Sequence, residues 1–146
     1  MQGFTIGSIL GTLLTSVLLA QPVHVTIDIK PGNTPTTIEP NSRGVLPVAI
    51  LTTAQFDATT IDPETVRIGP TGTEADVFRS MQEDVNHDGR TDLLVLVRVQ
   101  DMKANCDTTI IRLTGKTTGG VSIEGSEKVT TDGCVTVPPS PHSTSW

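Results

Sequence analysis

From Gln21 onward the apolar residues recur at a spacing of two, not at the three-and-four spacing of an amphipathic helix. In "VHVTIDIK" (Val23–Lys30) the residues Val23, Val25, Ile27 and Ile29 fall on one side, and His24, Thr26, Asp28 and Lys30 on the other. That alternation belongs to a strand with one buried face. Thr and Val, which favour pleated surfaces, dominate the rest of the chain. "VLPVAILTT" (Val45–Thr53) and "LLVLVRVQD" (Leu93–Asp101) are continuous apolar runs and read as strands buried on both faces. Pro47 has no N–H for a ladder, so its strand needs an open side or a bulge near its start.

Further strands are expected at Thr65–Ile68, at Ala75–Met81, and within "TTIIRLTG" and "VSIEGSEKVTT", with a short extended piece at Thr37–Ile38. "PGNTPTTIEPNSRG" and "GKTTGG" supply the intervening loops. "AQFD" and "DPET" can each begin a single helical turn, the second with Asp62 as cap and Pro63 in the first position. Roughly seven to nine short strands with a turn about every ten residues imply an all-β fold. The expected closure is a single antiparallel β-sandwich, Ig-like or jelly-roll-like, because two of its strands are apolar on both faces.

The 146 residues suffice for one domain. Residues 1–20 carry no charge, and the apolar run "ILGTLLTSVLLA" ends in the small Ala20. The segment reads as a secretory signal peptide, although no basic residue precedes the run. Retention as an anchor, or burial in an assembly, are the alternatives. The run is short of the roughly 20 apolar residues that span a bilayer. The folded domain is then expected at residues 21–137, followed by a disordered Pro/Ser-rich tail at 138–146.

The net charge of −6 lies wholly beyond residue 20 and contains no basic cluster. That argues against nucleic acid and against anionic membrane surfaces as partners. Tyr is absent and Trp146 is the only Trp, so aromatic platforms for sugar stacking are scarce. In an exported protein the two cysteines, Cys106 and Cys134, are expected to form a disulfide. Neither has a His or a second Cys at zinc-ligand spacing.

The most specific chemistry lies in "DVNHDGRTD". Asp84, Asn86, Asp88 and Asp92 occupy positions 1, 3, 5 and 9 of the calcium-loop pattern, with Gly89 at the central turn and Arg90 where only a carbonyl is needed. Calcium takes six to eight oxygens, which alternate residues of a curling loop can deliver. Glu83, Asp84, Asp88 and Asp92 crowd negative charge that only Arg90 offsets, a repulsion a divalent cation relieves. Asp84, Asn86, Asp88, the Arg90 carbonyl and Asp92 are the expected ligands of a Ca2+ ion. Glu83, Asp28 and Asp57 are lesser candidates for a remaining ligand. Position 12 is Val95, not the Glu of a helix–loop–helix sensor, and a strand follows. A static clamp of modest affinity, on the order of 10⁻⁴ M, is therefore expected.

On these residues the loop resembles those of dockerins and, more closely, of FG-GAP/integrin-type propeller blades. A wider resemblance runs through "VTIDIKPGN", "TIEPNSRGVLPVAILTTAQFDATTIDPETVRIGPTGTEA" and "EDVNHDGRTDLLV". It is to a β domain that recurs in secreted bacterial and archaeal proteins. The resemblance implies secretion, a β fold and calcium, and no activity.

His24, His87 and His142 are scattered, and no nucleophile elbow or zinc-protease motif occurs. The expectation is a non-enzymatic, calcium-stabilised structural or adhesive domain at the cell surface or outside the cell. One alternative is a self-assembling filament or surface-layer subunit joined by strand donation, with Val23–Lys30 as donor. Another is a calcium-dependent glycan-binding or enzyme-accessory module. Expected partners are calcium, further copies of the chain and cell-surface components.

Overall fold

A computed structural model describes residues 20–134, together with Gly3. The rest of the segment expected as a signal peptide, and residues 135–146 with the expected tail at 138–146, lie outside the described residues. The protein is all-β. Its strands are β1 (Val23–His24), β2 (Thr26–Ile29), β3 (Thr37–Ile38), β4 (Val45–Leu51), β5 (Ile61–Gly69), β6 (Ala75–Glu83), β7 (Asp92–Arg98), β8 (Ile110–Thr117), β9 (Ser122–Lys128) and β10 (Thr130–Thr131). Two single 3-10 turns, Ala58–Thr60 and Val99–Met102, are the only helical pieces among the described residues.

Eight strands form one sheet in the order β1-β9-β8-β5-β6-β7-β4-β2. Its two outermost members, β1 and β2, are successive pieces of a single extended segment. Val23–His24 pairs with β9, and Thr26–Ile29 pairs with β4. The sheet therefore curls almost into a barrel, with this segment between the last two edges. β6 likewise serves both halves, pairing with β5 at Ala75–Asp76 and with β7 from Val77 onward, with a register shift in the second ladder between Val77 and Arg79.

An entirely antiparallel arrangement does not hold. The β1–β9 and β3–β10 ladders are parallel. Parity explains the first. With β1 and β2 counted as one segment, seven strands surround the core. Antiparallel neighbours alternate in direction, so an odd ring must contain one parallel contact.

The expected strands appear with shifted ends. "DPET" does not start a helical turn but lies inside β5, where the β5–β8 register shifts between Asp62 and Arg67. Pro63 has no N–H and falls in that irregular stretch. "AQFD" leads into a 3-10 turn capped by Asp57. Pro47 has its open side. Its carbonyl, facing β2, accepts the Lys30 N–H at 2.9 Å, and the regular β2–β4 ladder stops one rung earlier at Ile29–Val48.

The apolar run of β4 is buried on both faces only at its centre, where Val48, Ala49 and Ile50 are all covered, and the run of β7 is not. In β7, Leu93, Val95 and Val97 are buried while Leu94 and Leu96 are half-buried. One continuous core takes Ile29, Val48, Val66, Val95, Ile111 and Leu113 from the inner faces. Cys106 and Cys134 are joined, tying the loop after the second 3-10 turn to the end of β10. Disulfides persist in oxidising compartments, and the bridge fits such a setting. No helix among the described residues is long and apolar enough to cross a membrane.

Candidate metal loop

β6 ends at Glu83 and β7 begins at Asp92, and these two residues face each other across the ladder. The intervening residues, 84–91, must reverse the chain. Two of them do so in the left-handed region, His87 at φ 59° and Gly89 at φ 86°. A Cβ at Gly89 would meet nothing within 4 Å. The glycine is therefore required by backbone conformation and not by crowding.

Within the turn the polar side chains fold inward onto the loop's own amides. The two carboxylate oxygens of Asp84 accept the N–H groups of Asp88 at 3.1 Å and Gly89 at 2.8 Å. The Asn86 side-chain oxygen shares the Asp88 N–H at 3.3 Å. Asp88 accepts the Arg90 N–H at 2.8 Å, and its other oxygen takes the Asn86 side-chain amide at 3.3 Å. Asp84, Asn86 and Asp88 thus form one connected group of oxygens. The loop is largely exposed, with Asp84 half-covered.

Asp92 is placed differently. It is fully buried, and its carboxylate bridges two segments: one oxygen accepts the Thr52 N–H at 2.8 Å, the other the Val85 N–H at 2.9 Å. The Thr52 hydroxyl donates to the Thr91 carbonyl at 2.6 Å and accepts the Ala58 N–H at 2.9 Å. The loop is thereby tied to the end of β4 and to the 3-10 turn beyond it. Nothing in the sequence singles out Thr52, because its partner stands 40 residues away.

The lesser candidates have other surroundings, although Asp57 lines a shallow surface pocket together with Arg90 and Thr91 of the loop. Glu83 is exposed. Asp57 caps the first 3-10 turn, and hydrogen bonds from the Thr59 hydroxyl and N–H hold its carboxyl below the ordinary range. Asp28 lies mid-ladder opposite Ala49, where burial and then the Glu127 charge push its pKa up. His24 lies 3.4 Å from Glu124 at the surface, His87 is exposed, and His142 is outside the described residues.

Among the described residues no three His, Cys, Asp or Glu side chains converge as a ready-made metal cage. The loop's donor set is of another kind, mixing carboxylates with an amide oxygen and a backbone carbonyl, all hard oxygens of the sort calcium takes. Each carboxylate oxygen has a second lone pair. A hydrogen bond to a loop amide therefore does not exclude a cation. In comparisons with known protein families, curated proteins and solved structures, the chain finds no match.

Proposed function

We propose that the protein is a non-enzymatic, calcium-stabilised β domain with a structural or adhesive role outside the cell. Asp84, Asn86 and Asp88 would supply side-chain oxygens and Arg90 its carbonyl, with Asp92 as a fifth ligand that also holds Thr52 and Val85. The observation that carries this reading is the connected group Asp84–Asn86–Asp88, folded around a left-handed glycine on a hairpin between two core strands. A cation there would neutralise the crowded carboxylates and fix the β6–β7 register. The near-barrel would act as a two-layer sandwich, with β6 and the β1–β2 segment crossing between layers.

Secretion is part of the same proposal. It is supported by the uncharged leader and by the disulfide. A ligand that binds only the native state stabilises it by RT ln(1 + [L]/Kd), about 2.7 kcal/mol at a hundredfold excess over Kd. Thermal unfolding with calcium and after EDTA is the test. Melting should rise by several degrees with millimolar calcium and fall back on chelation. A melting temperature indifferent to both would remove the clamp.

A further inference from the structure

The segment Val23–Ile29 has an unusual position. It closes the sheet, yet all its ladder partners lie in β4 and β9, well separated from it in sequence. Among the described residues only the loop of residues 30–36 joins it to the rest of the fold. We infer that this segment exchanges between copies of the chain, each copy seating the other's Val23–Ile29 between its own β9 and β4. The inference is independent of the calcium loop.

The seat is shaped for this segment. On the β9 side, Val25 donates its N–H to the Glu124 carbonyl at 2.8 Å. A Cβ on Gly125 would lie 2.9 Å from both the Ile27 side chain and the Val25 carbonyl, so only glycine lets the strand approach. Glu127 accepts the Ile29 N–H at 2.6 Å with one oxygen and the Thr36 hydroxyl with the other. It thus grips both ends of the connecting loop. On the β4 side, four rungs from Thr26–Leu51 to Ile29–Val48 complete the seat. A second copy carries the one segment whose side chains and free N–H groups match every one of these features.

The connecting loop favours opening. Lys30 is held at φ 52°, a left-handed conformation that costs an L-residue energy. It also precedes Pro31, and a residue before proline prefers extended backbone. The tight turn that follows, with Gly32 at φ 90°, is closed by Asn33 N–H donating to the Lys30 carbonyl at 3.1 Å. In an exchanged pair Lys30 can relax to the extended backbone it prefers. An opened loop of seven residues reaches roughly 23 Å, enough to cross to an adjacent molecule. The strand contacts themselves cancel, because the same seat is filled in both forms. The relief in the two loops is therefore what works against the freedom lost when two chains join.

The test uses the full chain unfolded and refolded at high concentration, with fixed calcium and the native disulfide intact. Size-exclusion chromatography should show dimers or longer species. In the double variant Thr26→Cys, Leu51→Cys, whose positions are paired across β2 and β4, those species should become covalently linked between chains on oxidation. Lys30→Gly removes the left-handed penalty from the closed form. It should lower the dimerisation constant about 25-fold, roughly fivefold for each of the two loops. Chains that stay monomeric at all concentrations overturn the inference, as do dimers whose new bridges all lie within one chain. If the cysteine variant fails to fold, Lys30→Gly decides alone, and a dimerisation constant it leaves unchanged is equally fatal.

Discussion

Asp92 and Asp84 occupy the same loop pattern but do different physical work. Asp92 is a buried anion satisfied by two backbone amides of separate segments. Charged hydrogen bonds of this kind contribute about 1.5–3 kcal/mol each. Asp92→Asn turns one acceptor into a donor facing an N–H, and should cost about 2–3 kcal/mol in urea unfolding with or without calcium. Asp84 accepts amides only within its own exposed turn. Asp84→Asn should leave the calcium-free protein nearly as stable and abolish the calcium-induced rise in melting temperature. Asp28 offers a third contrast. Burial first, and the Glu127 carboxylate second, raise its pKa above 3.8. The native state then binds its proton more tightly than the unfolded chain. The resulting stabilisation is full below the unfolded pKa and is lost as pH rises through the raised folded value. Asp28→Asn should raise the melting temperature at pH 7 and flatten this acid-side slope in a pH series of thermal melts. The candidate loop was legible in the residues themselves, since its spacing is local. The burial of Asp92 was not, because Thr52 reaches it only through the fold.

The hairpins show how far local patterning reaches. Alternation placed β2 close to where it lies, since a period of two dictates which face is buried, and strand-favouring composition between turn residues placed β6, β8 and β9. Continuous apolar runs misled for β7 and only in part for β4: hydrophobicity alone does not say what covers the outer face, and Leu94 and Leu96 are half-covered while Ala49 of β4 is buried. The β5–β6 turn hides its determinant in a single side chain. Glu74 accepts the N–H groups of Thr71, Gly72 and Thr73 and the Thr71 hydroxyl. It lies so close to Gly69 that a Cβ there would be 2.1 Å from its carboxylate oxygen and 2.8 Å from its own Cβ. Gly69→Ala should therefore cost about 1–3 kcal/mol, the usual range for overpacking, read as a lower urea midpoint with unchanged slope. At β6 the register shift around Phe78 turns that ring outward, 5.2 Å from the Arg98 guanidinium, and an aromatic side chain stays half-exposed at the outer face.

The whole molecule is held by a ring of ladders and one covalent staple. Cys106 and Cys134 are 28 residues apart in the chain. In the chain-entropy account a closed loop of that size stabilises by about 3–4 kcal/mol. Reduction with dithiothreitol should lower the urea midpoint by that equivalent while far-ultraviolet circular dichroism at low denaturant keeps its β signature. The sequence by itself determined the β class, the buried face of the Val23–Ile29 segment, the pairing of the only two cysteines and the spacing of the candidate loop. Each of these depends on residues near one another or on an inventory with a single solution. Only the tertiary structure decided that seven strands close into a ring, that the odd count makes one ladder parallel, and that Asp92 serves β4 as well as its own turn. Those outcomes join segments far apart in the chain, and no local period carries information about which edges meet.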